Sequence, residues 1–326
     1  MGKVLISVII PTYNRGHLIE KTLHSLLNQS YREAYEIIVC DNNSTDNTAN
    51  VIKKYIKDCG NTKIKYLVEK RQGAHYARNL GALLAQGDLL YFTDDDMIAD
   101  YNLLYNLSEF MHRHPKVAIA TGRVLPKWET TPPLWVKKYC LNGLLSLIDK
   151  GRNNRVSPKD VGVYSCHEMV RKDIFVKAGG FHVDFIGKEL LGDGETGLNQ
   201  DILNSGDYLA AYVGNAVTYH IIPPKRMTQR YLNARFYGQG NADSYTEYRK
   251  KAFIRKDLKV RYKNYCKNCI KEWQRIIAQI FIGKNTWRFI IATAYYYKAR
   301  MVYDYRVIND ASFRGLVIQN NWLELH

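Results

Sequence analysis

Three consecutive carboxylates, Asp94-Asp95-Asp96, follow the apolar run Leu89-Leu90-Tyr91-Phe92. Crowded acids repel one another, and at a strand end facing a cleft a cation is what relieves the repulsion. Mg²⁺ or Mn²⁺ suits the triplet, because these ions take one or two carboxylates and complete their shells with water and phosphate oxygens. That is the chemistry of a nucleoside diphosphate site. The alternative is a solvated acidic turn, and the neighbours weigh against it. Thr12-Tyr13-Asn14, Asp41-Asn42 and Lys70-Arg71 each stand at the end of another apolar run. An aromatic ring, an acid–amide pair and two cations would then share one rim with the three carboxylates.

The elements that must bring them together are legible as an alternation. Leu5 to Pro11 reads as a strand, followed by the turn residues Asn14-Arg15-Gly16 and by Leu18, Ile19, Leu23, Leu26 and Leu27 at helical spacing. Tyr35 to Cys40 is the next strand, with Ser44 or Thr45 available to cap a helix running to about Lys57. Ile64 to Val68, a helix over Ala74 to Gln86, and Asp88 to Thr93 repeat the unit. A helix over Tyr101 to His112 and a strand over Val117 to Thr121 close the series. Apolar runs separated by helices imply parallel strands, because a parallel pair needs a long crossover. The expected fold class is α/β, a Rossmann-like, mostly parallel sheet flanked by helices, with a helical C-terminal appendage. Ligands of such sheets bind beyond the carboxyl ends of the strands. Pro126 to Val156, with Trp128, Trp135 and adjacent prolines, reads as an irregular connection or an acceptor platform.

Four ordered segments carry a resemblance. Ser7 to Asn14 (SVIIPTYN), Val39 to Asp46 (VCDNNSTD), Arg78-Asn79 with Ala82, and Gly87 to Asp96 (GDLLYFTDDD) resemble the successive signatures of family 2 glycosyltransferases of the GT-A fold. The likeness is strong over 1–125 and looser to about 245. It implies an inverting transferase that takes a nucleotide sugar, a UDP-sugar or dTDP-sugar, with a divalent metal, Mn²⁺ or Mg²⁺. It also implies roles for the residues. Pro11, Thr12, Tyr13, Asn14, Asp41, Asn42 and Arg78 would bind the nucleotide, with Asp94 and Asp95 beside the sugar and diphosphate. Asp96 and Asp94 would hold the metal. These types suit the roles, since a phenol ring stacks on a base and guanidinium matches phosphate in a bidentate way. The domain division that follows is a catalytic 1–230, split at 125 into a donor half and an acceptor half, and a helical 231–326.

An inverting transfer also needs a base for the acceptor hydroxyl. By the resemblance Glu195 takes the position of the family's catalytic carboxylate, Gly194 stands where an acidic neighbour is usual, and Asp193 is the alternative base. An acid at the start of a helix is also stabilised by the helix dipole. Upstream, His167 is a candidate for touching the sugar or acceptor, or a packed core residue. His220, followed by Arg226, is a candidate metal or diphosphate contact, or a structural histidine.

The chain has 326 residues, 46% apolar and 24% charged, which excludes a disordered or disulfide-scaffold protein. Its net charge of +16 is concentrated late: residues 221–326 hold 21 basic and 7 acidic residues. The stretches 276–282 and 287–297, flanked by Lys284, Arg288, Lys298 and Arg300, have the makeup of helices in an anionic headgroup layer, or of stripes packed on the catalytic domain or a second subunit. Apolar runs fall short of the roughly 18 to 20 residues that span a bilayer, and Met1-Gly2-Lys3 leads straight into the first strand. The expectation is a cytoplasmic enzyme, peripheral on the inner face of the cell membrane, acting on a glycan or lipid-linked acceptor. Cys266 and Cys269 lack companions for a zinc site and read as reduced thiols. A nucleotidyltransferase is disfavoured by the absence of a Gly-rich phosphate loop near the first strand. A basic nucleic-acid-binding protein leaves the acidic rim unexplained.

Overall fold

The computed structural model describes residues 5–58, 63–186, 189–192 and 194–323. Its strands are β1 (Ile6–Thr12), β2 (Tyr35–Asp41), β3 (Lys63–Val68), β4 (Leu89–Thr93), β5 (Met97–Ala99), β6 (Val117–Trp128), β7 (Arg155–Ser157), β8 (His167–Arg171), β9 (Phe185–Ile186), β10 (Glu189–Leu190) and β11 (Leu209–Ile222). Between them run α1 (Gly16–Leu27), α2 (Thr48–Asp58), α3 (Ala74–Leu84), α4 (Leu103–Arg113), α5 (Leu134–Tyr139), α6 (Lys172–Lys177) and α7 (Gly194–Leu203). Helices α8 (Gln229–Lys250), α9 (Leu258–Phe281), α10 (Arg288–Asn309) and α11 (Ala311–Ile318) follow.

The main sheet has the order β3-β2-β1-β4-β8-β6-β11-β5, with β7 on β11. Strands β3, β2, β1 and β4 are mutually parallel, as is β6 with β11. The expected α/β sheet is therefore present, and β8 is an antiparallel insertion between β4 and β6. Every residue of β1 is buried, with Ile9 on one face and Ile6, Val8 and Ile10 on the other. Burial on both faces turns the strand into a continuous apolar run, each such side chain contributing roughly 1.5–3 kcal/mol. Register then aligns the rim: Thr12 pairs with Asp41, and Asp41 with Val68.

Two expectations are corrected and one is narrowed. The span from Pro126 is not irregular at its start, because β6 continues to Trp128 along β11, and α5 follows. Neither Ser44 nor Thr45 caps α2; the helix begins at Thr48, whose N–H donates to Asp46 Oδ1 at 2.9 Å. The C-terminal apolar stripes are only partly free, with Ile277, Phe281, Ile282 and Trp287 exposed. Ile276, Ala292 and Ala299 are buried, and α10 packs against α8 and α9. Tyr245, Tyr303, Val307 and Trp322 form a cluster with Val183 and Leu191, so these helices are fastened beside the start of α7. Among the described residues no helix is long and apolar enough to cross a membrane. Cys266 and Cys269 are free thiols.

His167 is a core residue rather than a sugar contact. It is fully buried, with Nδ1 2.9 Å from the Tyr91 hydroxyl and Nε2 3.3 Å from the Ala216 carbonyl. Burial lowers its pKa from the ordinary 6.5 to about 4. The folded protein thus refuses a proton that the unfolded chain accepts below pH 6.5, and stability present above that value is lost as pH falls toward 4. The loss attributable to His167 should reach about 3 kcal/mol. Urea unfolding across this range should show the decline, and His167→Gln, which cannot titrate, should flatten it.

Candidate active site

The rim of β1 and β4 is where the acidic triplet sits, and each of its members has a different environment. Asp95 is buried; its Oδ2 accepts from Thr12 Oγ1 at 2.8 Å and its Oδ1 from Arg15 at 2.8 Å. Burial and the neighbouring Asp96 push its pKa up to about 6, against the pull of Arg15. Asp96 is also buried, but His220, Arg226 and Arg15 outweigh the burial and hold it down to about 2. Its Oδ2 accepts from Arg226 at 3.0 Å and from Arg15 at 3.2 Å, with His220 Nε2 at 3.7 Å. Asp94 is half-buried and accepts from Arg78 at 2.5 Å.

Two observations bear on a cation at this rim. Asp96 Oδ1 is buried and has no hydrogen-bond partner among the described residues. His220 lies 2.8 Å from the Leu145 carbonyl through Nδ1, which places its proton there and leaves the Nε2 lone pair toward Asp96 and Arg226. An orphaned carboxylate oxygen with the His220 Nε2 beside it is a donor pair that fits a divalent ion such as Mn²⁺. The pair is Asp96 with His220, whereas Asp94 is turned to Arg78.

The nucleotide-binding candidates divide into those that face the cleft and those that build it. Pro11, Thr12, Tyr13, Asn42, Arg78, Asp94 and Asp95 line a cleft of about 360 Å³ together with Arg15, Gln72, Gly73 and Arg226. Tyr13 is 47% exposed and offers its ring to a ligand. Asn14, at φ 52°, is instead a knot between loops: its Oδ1 accepts from the backbone of Thr45 and Asp46, and its N–H donates to Ser44. Asp41 is turned inward, accepting from Ser44 N at 2.8 Å and Tyr66 Oη at 2.6 Å. Asn42 spends its amide on the Glu69 and Arg71 carbonyls and on the Gly73 N–H. Asn14, Asp41 and the Asn42 amide thus make internal bonds that fold the cleft wall. Gly73 completes that wall at φ 147°, where a Cβ would stand 2.7 Å from the Phe185 carbonyl.

A second cleft, of about 1000 Å³, meets the first at Asp94 and Phe185 and is lined by His75, Tyr164, Glu195, Arg230 and Arg235 among others. Glu195 projects from the first turn of α7, and Ser165 Oγ donates to its Oε1 at 2.5 Å. Asp193, the alternative base, lies outside the described residues. The absence of an acid at position 194 has a steric cause. A Cβ there would be 2.0 Å from the His182 carbonyl and 2.4 Å from the His75 ring. His75 is buried, stacks on Phe181 at 4.8 Å and lies 3.2 Å from Arg78, and burial with that arginine lowers its pKa well below 6.5. Asn79 fixes the segment by bonding both the N–H and the carbonyl of Phe181 at 2.9 Å.

Arg15, His75 and Ser165 were not singled out by sequence as site residues. Arg15 reads as part of a turn, and only its place three residues beyond a rim strand signals that it reaches the carboxylates.

Comparison with known proteins gives a match over residues 7–179 to the model of "Glycosyl transferase family 2". The chain is 37% identical over 130 residues to the putative teichuronic acid biosynthesis glycosyltransferase TuaG of Bacillus subtilis, covering 40% of this chain and 51% of TuaG. It is 38% identical over 107 residues to the poly(ribitol-phosphate) beta-N-acetylglucosaminyltransferase TarP of Staphylococcus aureus, covering 31% of this chain and 32% of TarP. The matched region thus spans about half of TuaG and a third of TarP. Among solved structures, the fold is similar to the Pyrobaculum calidifontis mannosyltransferase PcManGT in complex with GDP-Man and Mn²⁺, with a TM-score of 0.55 at 20% identity over 74% of this chain and 63% of that one. S. aureus TarS 1-349 superposes with a TM-score of 0.51 at 14% identity over 96% of this chain and 92% of that one.

Proposed function

Because the chain belongs to glycosyl transferase family 2, we propose that it moves a sugar from a nucleoside diphosphate donor to a hydroxyl of a glycan or lipid-linked glycan, with inversion. One observation carries this reading: two clefts meet at Asp94, one walled by arginines and an exposed tyrosine, the other holding Glu195.

In the smaller cleft the Tyr13 ring packs on the nucleobase, and Arg15, Arg78 and Arg226 lie where a diphosphate would be neutralised. Asp94, at the junction, is placed to accept from a sugar hydroxyl. From the larger cleft the acceptor hydroxyl approaches Glu195, which takes its proton as the oxygen attacks the anomeric carbon opposite the departing diphosphate. Ser165 orients the carboxylate through Oε1. Asp96 and His220 would hold a divalent cation that supplies charge stabilisation to the leaving diphosphate. Arg226, now against both residues, would then be released toward phosphate.

Thermal unfolding with UDP, dTDP, GDP or the corresponding sugar nucleotides, each in Mn²⁺ and in EDTA, tests donor and metal together. A ligand at about 100 times its Kd should stabilise the fold by about 2.7 kcal/mol. A uridine or thymidine diphosphate should do so, more strongly in Mn²⁺. No shift with any nucleotide would sink the reading.

A further inference from the structure

The α9–α10 turn and α5 form one corner of the molecule. Gly283, at φ 66°, reverses the chain after α9, and its carbonyl accepts from the Tyr139 hydroxyl at 2.9 Å. The Arg288 guanidinium lies between the Trp135 and Trp287 rings, 4.8 and 4.9 Å from their centroids. The corner is fixed by these contacts, yet its outer side chains are left to solvent. Phe281 is 87% exposed, Leu134 77%, Ile282 64% and Trp287 54%. Lys137, Lys138 and Lys284 are exposed among them. No Asp or Glu occurs from Thr130 to Ile148 or from Trp273 to Tyr303.

We infer that this corner docks on an anionic lipid surface, with Phe281, Ile282, Trp287 and Leu134 entering the headgroup boundary and the three lysines facing lipid phosphates. Apolar side chains ringed by uncompensated cations match that surface. They do not match a second copy of the same corner, which would bring lysine against lysine.

The corner also shares α9 and α10 with a groove that joins the Glu195 cleft. A cleft of about 500 Å³, lined by Arg275 of α9 and Thr293 and Tyr296 of α10, continues from the Glu195 cleft through Tyr164, Arg235 and Gln239. Phe281 stands six residues beyond Arg275, about 9 Å along the helix axis. Docking would set the outer end of this groove near the bilayer, where an acceptor carried on a lipid could enter; that consequence alone rests on the proposed transfer.

Flotation of the chain with vesicles tests the docking without any turnover. Binding is expected to equimolar phosphatidylcholine and phosphatidylglycerol vesicles and not to phosphatidylcholine alone. Phe281→Asp with Ile282→Asp, and separately Lys137→Glu with Lys284→Glu, should each weaken partitioning on the order of tenfold or more. Both pairs should keep the wild-type thermal midpoint and its shift with UDP, which separates lost docking from lost fold or lost donor binding. Absence of binding to the anionic vesicles, equal binding by the variants, or a concentration-dependent dimer that the Phe281 and Ile282 substitutions abolish would overturn the inference.

Discussion

Glu195→Gln should lower turnover by about 10²- to 10⁴-fold, the usual worth of a positioned general base, while donor binding stays at its wild-type level. The substitution keeps the shape of the side chain and its acceptor oxygen for Ser165 Oγ, so the first turn of α7 has no reason to move. What it removes is the capacity to take a proton at the point where the acceptor cleft meets Asp94. The two readouts are transfer rate at saturating donor and the UDP-induced shift in thermal midpoint. Retained turnover would move the base to Asp193 or to another group. Ser165→Ala offers a milder companion: it should lower the rate without abolishing it, because the carboxylate remains but loses a fixed partner.

Asp96→Asn should erase the difference between donor binding in Mn²⁺ and in EDTA. The carboxylate is buried with one oxygen facing two arginines and the other without a hydrogen-bond partner among the described residues, so neutralising it removes both the anchor for those arginines and the charge that would hold a cation. Breaking a fully buried ion pair costs about 3–5 kcal/mol. Arg15 is 35% exposed in its side chain, and solvent screening reduces that figure to about 1–3 kcal/mol here. The variant should therefore unfold at a lower temperature yet still fold, with a UDP shift that no longer depends on metal. An undiminished Mn²⁺ effect would transfer the metal role away from Asp96.

The parts of the fold that were legible in the sequence are those where burial and chain pattern agree. β1, β2 and β4 are mostly apolar runs between helices because both of their faces are buried, whereas β3 at the sheet edge carries Lys65 and an exposed Val68. β8 is hard to read as a strand because three of its five residues are polar, two of which, His167 and Glu168, are buried. His167 is hydrogen-bonded to Tyr91, and Glu168 has no hydrogen-bond partner for either oxygen among the described residues, burial pushing its pKa well above the usual carboxylate range. Pro126 and Lys127 hid the far half of β6 in the same way, since neither looks like strand. In the site, local motifs point to the carboxylates, Arg78, His220, Arg226 and Glu195, but not to Arg15 or Ser165. Arg15 reaches Asp95 and Asp96 across some eighty residues of chain, and Ser165 reaches Glu195 across thirty. Such pairings depend on sheet order, which no short window carries.

The crowding at Gly194 constrains how this chain could have changed over time. A side chain there collides with the His75 ring and the His182 carbonyl, so an acid cannot be regained by one substitution. Shrinking position 75 would clear the ring at the loss of the stacking partner of Phe181, but not the His182 carbonyl, which yields only if the backbone there shifts. Positions 75 and 194 are thus coupled through packing, and it is the His182 backbone that holds position 194 to glycine.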